Sequence, residues 1–126
     1  MLREQLNRPT ILCVDDEPSA LTLRVLVVQS HGYVAIPASS GRSALVLFEE
    51  RHPNLVVLDY QMPEMNGMET AIRLRKIDPN VPLILLSAYI DLSPAVTSHF
   101  DAYLPKGVQI ESFLECINRL LKRETA

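Results

Sequence analysis

Short apolar runs recur along the chain and are separated by longer segments of mixed polarity. Five of these runs have the length and composition of β-strands, and turn residues such as Gly, Pro, Asn and Asp lie between them. The predicted strands are Thr10–Asp15, Tyr33–Ala38, Leu55–Asp59, Val81–Ser87 and Ala102–Pro105.

The segments between and after these runs predict five helices. Pro18 suits the first position of a helix, and Ser40 is a possible N-cap for the second. A third helix is predicted over Gly67–Ile77. A cap and first-turn proline at Ser93-Pro94 open a fourth helix, which has little room before the next strand and should be short. The last helix carries its apolar residues on one face, at Ile110, Phe113, Leu114, Ile117, Leu120 and Leu121.

The inner strands are apolar throughout, as in "LVVL" before Asp59 and "PLILL" before Ser87. Strands of this kind are typical of parallel sheets that helices cover on both faces. We therefore predict an α/β fold, a doubly wound five-stranded parallel sheet in the flavodoxin-like order 2-1-3-4-5, flanked by five helices.

Composition narrows the class of protein. The chain has 126 residues, 48% of them hydrophobic, and a formal net charge of −3. We expect a single domain over 1–126, with its core in 10–123. No basic block favours nucleic acid or an anionic membrane, and no apolar run is long enough to span a bilayer. Cys13 and Cys116 lie in apolar segments without a CxxC pattern, so we predict two reduced core cysteines.

Polar side chains stand where the predicted strands end. Asp15 and Asp16 follow the first strand, Asp59 ends the third, Ser87 ends the fourth, and Lys106 follows the fifth. Ligands of doubly wound sheets bind at the carboxyl ends of the strands, and strands one and three are neighbours in the predicted order. We therefore expect three acids, one hydroxyl and one amine to meet on one rim.

Three carboxylates in one cleft repel each other, and a divalent cation removes that conflict. Hard oxygen ligands suit Mg²⁺. Lys106 and Ser87 are then available for an added anion, so the set describes phosphoryl transfer to an aspartate. Taken singly, the acids are equally typical of a helix cap or a turn, Lys106 is more often a solvated lysine, and Ser87 is more often a turn residue at a strand end. Their joint occurrence in this order favours the site.

The motifs "VDDEP", "LDYQMPEMNG", "LLSAY" and "YLPKG" occur in this order. As an ordered set they resemble the receiver domains of two-component response regulators, and the resemblance covers essentially Thr10 to Arg123. It implies that Asp59 is the phosphoacceptor. It also implies that Asp16 and Asp59 ligate Mg²⁺ directly, with Asp15 acting through water and Gln61 through its carbonyl.

The resemblance further implies that Lys106 and Ser87 hold the phosphoryl oxygens and that Tyr103 is an aromatic switch residue coupled to Ser87. A receiver takes its phosphoryl group from a sensor histidine kinase or a phosphotransfer protein and signals to an output partner. It catalyses its own phosphotransfer and slow autodephosphorylation and is not otherwise an enzyme. We expect a cytoplasmic location, with no nucleic-acid contact by this domain.

Three features depart from the family pattern. The segment between Ser87 and Lys106 is short, which puts the family's signalling face around the fourth helix in doubt. Gly107 replaces the usual proline, so we predict a trans Lys106–Gly107 bond, with Gly107 absorbing the turn and the lysine still reaching the acids. Tyr89 is bulky where water must approach the phosphoryl group, and we expect it to slow hydrolysis.

Three other functions fit the sequence less well. A dehalogenase-type phosphatase needs a second acid two residues after its nucleophile, and that position is Gln61. A flavodoxin is disfavoured because an acidic first loop repels phosphate. A receiver that binds partners without phosphorylation is disfavoured because all five site residues are present. Whether the chain is a stand-alone receiver or part of a longer protein stays open.

Overall fold

The computed structural model describes residues 8–89 and 91–125, with side chains through residue 123. Five parallel strands form one sheet in the order β2-β1-β3-β4-β5, which confirms the predicted fold class. The strands are β1 Thr10–Val14, β2 Val34–Ala38, β3 Leu55–Asp59, β4 Leu83–Ser87 and β5 Ala102–Pro105.

Five helices alternate with these strands in the described part of the chain. They are α1 Pro18–Ser30, α2 Gly41–Arg51, α3 Gly67–Ile77, α4 Pro94–Thr97 and α5 Ile110–Thr125. Ser40 caps α2 as predicted, in a reciprocal capping box with Ser43, and Asn66 and Glu69 do the same for α3. The fourth helix is a single turn, as the short segment predicted.

Within residues 8–89 and 91–125, the structure contains no helix with the length and apolar character needed to cross a bilayer.

The core consists of two apolar clusters, one on each face of the sheet. One lies against α2 and α3, and the other lies against α1 and α5. Both cysteines are free and buried in the second cluster, as predicted, and burial raises the pKa of the Cys13 thiol to about 12. On α5, Phe113, Ile117 and neighbouring residues are buried. Ile110, the first residue of the helix, is 51% exposed.

The strand register brings the acidic strand ends together. Val14 pairs with Leu58 across β1 and β3, so the next residues, Asp15 and Asp59, lie side by side at the carboxyl edge. Ser87, the last residue of β4, pairs with Pro105 of β5, which places Lys106 just beyond it. Parallel pairing thus gathers onto one rim side chains that are far apart in sequence.

Candidate functional site

Three carboxylates form the centre of the rim. Ligand oxygens of Asp15, Asp16 and Asp59 all lie within 4.8 Å of one another. Asp15 is fully buried and Asp59 is 4% exposed, whereas Asp16 is exposed to solvent. The strand ends therefore hold two acids largely out of solvent and leave the third exposed.

Lys106 bridges the two buried acids. Its Nζ lies 3.2 Å from Asp59 Oδ1 and 3.4 Å from Asp15 Oδ2. The Lys106 amide donates to the Ser87 carbonyl at 2.9 Å, which fixes the base of the side chain beside β4. The prediction that the lysine reaches the acidic rim is confirmed.

The chain turns at Lys106-Gly107, where the Val108 amide donates to the Pro105 carbonyl at 3.0 Å. The peptide bonds of the described residues are all trans, so the predicted trans Lys106–Gly107 bond is confirmed. Gly107 does not adopt a positive φ, and open space surrounds the position of a Cβ. The turn therefore does not use the special backbone freedom of glycine, contrary to our expectation.

A second cation, Arg24, was missed in the sequence analysis. Its Nη1 donates to Asp15 Oδ2 at 2.9 Å, and its side chain is only 10% exposed. The signal was present, because Arg24 falls on the apolar face of α1 together with Leu21, Val25 and Val28, at helical spacing. A charged side chain on a buried helix face needs a buried partner, and Asp15 is that partner.

The two buried acids have opposite pKa shifts. Burial raises the pKa of Asp15, but a hydrogen bond from the Glu17 amide and the charges of Arg24 and Lys106 outweigh it, so the pKa is lowered overall. Burial raises the pKa of Asp59, and the charge of Asp15 raises it further, against the opposing effect of Lys106. The ionised form of Asp59 is thus less well compensated for its burial than that of Asp15.

A close backbone contact joins the end of β3, at Asp59 and Tyr60, to the start of α3. The Gly67 amide donates to the Tyr60 carbonyl at 2.7 Å, so the start of α3 lies directly against the end of β3. A Cβ at position 67 would collide with the Asp59 carbonyl. The absence of a side chain at Gly67 therefore allows α3 to begin beside the acid and hold it in place.

Ser87 and Tyr103 point to the same face of the sheet. Tyr103 pairs with Leu85, which lies two residues before Ser87 on β4, and alternate residues of a strand share a face. Ser87 is buried, and its Oγ accepts a hydrogen bond from the Tyr89 amide at 3.0 Å. The Tyr103 hydroxyl is buried and makes no hydrogen bond within the described residues.

A cleft of about 710 Å³ opens above Asp59. Most predicted site residues line it, including Asp16, Gln61, Ser87 and Lys106. Asp15 and Tyr103 do not line the cleft. Gln61 is exposed at its mouth, and its Nε2 donates to the Tyr89 hydroxyl at 3.0 Å.

The donor set suits a hard divalent cation. Carboxylate oxygens of three acids converge without a nitrogen or sulfur ligand among them, which is the chemistry that Mg²⁺ prefers. Lys106 is the cation that faces both Asp59 and the cleft. A nucleophilic carboxylate, hard oxygen ligands and an amine together can support phosphoryl transfer.

Comparison with known proteins gives the same class. The model of the response regulator receiver domain family matches residues 11–118, and the chain belongs to this family. It is 34% identical over 122 residues to the probable transcriptional regulator ycf27 of Cyanophora paradoxa, covering 94% of this chain and 51% of that protein. It is 36% identical over 119 residues to the regulatory protein AtoC of Escherichia coli, covering 91% and 26%. The chain thus spans about half or less of these relatives.

Solved structures share the fold. A response regulator receiver domain protein from Clostridium thermocellum superimposes with a TM-score of 0.87 at 28% identity, covering 93% of this chain and 97% of that one. The response regulator protein TrrA from Thermotoga maritima, in complex with Mg²⁺ and beryllium fluoride, has a TM-score of 0.81 at 34% identity, covering 89% and 98%.

Proposed function

We propose that residues 10–123 form one receiver unit, in which Asp59 accepts a phosphoryl group from a sensor histidine kinase or a phosphotransfer protein. The observation that carries the proposal is the 3.2 Å contact between Lys106 Nζ and Asp59 Oδ1 at the floor of the acidic cleft. A carboxylate oxygen of Asp59 attacks phosphorus, an O–P bond forms, and the N–P bond of phosphohistidine breaks. The imidazole leaves and takes up a proton.

Mg²⁺ is the proposed cofactor. Asp16 and Asp59 would bind it directly, Asp15 through water and Gln61 through its carbonyl. The ion would supply charge neutralisation for the acids and for the incoming phosphoryl oxygens. The TrrA complex, which contains Mg²⁺ and beryllium fluoride, supports this proposal by similarity.

Two further side chains have proposed roles at the phosphoryl group. Lys106 would pair with one phosphoryl oxygen, and the Ser87 hydroxyl would donate to another after giving up its present contact with the Tyr89 amide. Tyr103 lies on the Ser87 face, and its hydroxyl makes no hydrogen bond to the part of the chain that the structure describes, which suits a ring that changes position when Ser87 moves. This rearrangement is the proposed switch that an output partner reads.

The chain would catalyse its own phosphotransfer and a slow autodephosphorylation. A dedicated phosphatase is less well supported, because Gln61 occupies the position where that class carries a general acid. A cytoplasmic location fits the two free, buried cysteines. The net charge of −3 and the lack of a basic block fit a domain that contacts neither nucleic acid nor membrane.

Intact-mass analysis after incubation with acetyl phosphate and Mg²⁺ tests the proposal. The wild-type protein should gain one phosphoryl group, and Asp59→Asn should gain none because it lacks the nucleophile. Asp91→Asn changes an exposed aspartate outside the cleft in the same way and should be phosphorylated like wild type. A full phosphoryl signal on Asp59→Asn would refute the assignment of the phosphoacceptor.

A further inference from the structure

Two cations, Arg24 and Lys106, share the Asp15 carboxylate. Both Arg24 Nη1 and Lys106 Nζ contact its Oδ2, at 2.9 and 3.4 Å, while the Glu17 amide donates to its Oδ1 at 2.9 Å. Lys106 also contacts Asp59, whereas the contact that Arg24 makes in the site is with Asp15. The two cations are therefore not equivalent.

The cavities around the site show the same difference. Lys106 lines the acidic cleft above Asp59 and also an apolar groove between α1 and α5. Arg24 lines the groove, among residues such as Val27, Leu86 and Phe113, and does not line the cleft. A phosphoryl group on Asp59 would occupy the cleft, so Lys106 can reach it and Arg24 cannot.

This difference matters when Lys106 changes partners. To pair with a phosphoryl oxygen, Lys106 must weaken its contact with Asp15, which is fully buried. A buried carboxylate that loses its counter-charge is strongly unfavourable. Arg24 pairs with Asp15 and does not line the cleft, so it can keep this contact while Lys106 turns toward a phosphoryl oxygen.

We propose that Arg24 is a positioning residue. It stays paired with the Asp15 carboxylate, so that Lys106 can leave Asp15 and pair with the phosphoryl group. The inference rests on the proposed function. Without the Arg24 charge, Lys106 becomes the remaining cation beside Asp15 and is held there. The acidic site also becomes more negative by one charge, so its attraction for Mg²⁺ does not decrease.

The test separates binding of the metal from binding of a phosphoryl analogue. Arg24→Met removes the charge and keeps an unbranched apolar stem in the groove. Calorimetric titration with Mg²⁺ alone, and then with beryllofluoride at saturating Mg²⁺, gives two dissociation constants. We expect beryllofluoride to bind about tenfold more weakly, comparable to the loss of one charge-assisted hydrogen bond. The Mg²⁺ dissociation constant should be unchanged or smaller.

Arg24→Lys is the conservative variant, because it keeps the charge on a similar stem, and should restore beryllofluoride binding to within about threefold of wild type. If Arg24→Met does not fold, Arg24→Gln replaces it as the uncharged variant. In a Lys106→Met background, Arg24→Met should have no further effect on beryllofluoride binding, because the lysine that the Arg24 side chain would free from Asp15 is absent.

The outcomes separate the explanations. Weaker beryllofluoride binding with undiminished Mg²⁺ binding supports the inference. Weaker binding of both ligands would show that Arg24 has a merely structural role. Unchanged beryllofluoride binding would show that Arg24 has no role in binding the phosphoryl analogue. Either result overturns the inference. If the wild-type protein itself does not bind beryllofluoride, the proposed function fails rather than the role of Arg24.

Discussion

Gln61 Nε2 donates a hydrogen bond to the Tyr89 hydroxyl at 3.0 Å, and the pair spans the mouth of the cleft around Asp59. Gln61 lies on the loop after β3, and Tyr89 lies on the segment after β4. Two loops from neighbouring strands are thereby joined above the acid that we propose as the phosphoacceptor. Water that enters the cleft must therefore pass close to this pair to reach Asp59.

Tyr89→Ala should accelerate hydrolysis of the aspartyl phosphate, because the ring lines the cleft where water must enter. We expect an increase of a few-fold to about tenfold, at most ~1.4 kcal/mol in the activation free energy. The measurement is loss of the phosphoryl group over time by intact mass. Tyr89→Phe keeps the ring and loses the hydroxyl contact, so its rate should stay near wild type. An unchanged rate in Tyr89→Ala would show that the ring does not shield the site.

Replacing the two buried acids should change stability in opposite directions in Mg²⁺-free buffer. The pKa of Asp59 is raised in the folded state, so its ionised form costs stability at neutral pH. Asp59→Asn should therefore raise the free energy of unfolding at pH 7. This gain should shrink as the pH falls through the raised pKa, because the wild-type carboxyl then becomes protonated.

Asp15→Asn is the matched comparison. The pKa of Asp15 is lowered from 3.8, so its ionised form contributes stability above that value, which is lost as the pH falls through the lower folded pKa. Asp15→Asn should therefore lower the free energy of unfolding at neutral pH and leave the buried Arg24 without its charged partner. Urea denaturation at several pH values measures both variants. Shifts of the same sign would contradict this electrostatic assignment.

Mg²⁺ should stabilise the fold, because it relieves repulsion among three acids and binds the native state by mass action. At a concentration of 100 times the dissociation constant the gain is about 2.7 kcal/mol. Asp16→Ala should lose most of this metal-dependent rise in Tm. Glu49→Ala removes an exposed acid from α2, away from the cleft, and should keep the rise. An undiminished rise in Asp16→Ala would place the metal elsewhere.

Sequence reasoning predicted the strands because their apolar runs are sharply bounded, and β3 and α3 match the predicted limits. It placed the start of β4 two residues early, since Pro82 has no amide hydrogen to donate to the sheet. It placed Asp15, Asp16, Asp59, Ser87 and Lys106 on one rim because parallel topology fixes which strand ends meet.

The side chains that complete these sites were harder to predict. Arg24 falls on the apolar face of α1, but the sequence of that helix does not show that its partner is Asp15. Asp101 contacts Arg75 and Arg123, which lie 26 and 22 residues away in the sequence. No local sequence pattern predicts such pairs, because they form only when α3, β5 and α5 pack together.

Asp101 should be important for stability although it lies at the opposite edge of the sheet from the acidic cleft. Its Oδ2 accepts hydrogen bonds from the Leu83 amide and from Arg75 Nη2, both at 2.8 Å, and its side chain is 19% exposed. Asp101→Ala would leave that amide without its acceptor at the start of β4. We expect a loss of about 2–3 kcal/mol in the free energy of unfolding, measured by urea denaturation.

Arg123→Ala removes one of the two ion pairs of Asp101 and leaves its contacts with Arg75 and the Leu83 amide in place. Arg123 Nη2 contacts Asp101 Oδ1 at 2.7 Å, but the arginine side chain is 61% exposed. A solvated pair of this kind contributes at most about 1 kcal/mol. The arginine variant should therefore lose much less stability than Asp101→Ala. Equal losses would mean that the ion pair with Arg123, rather than the contacts with Arg75 and the Leu83 amide, makes Asp101 important.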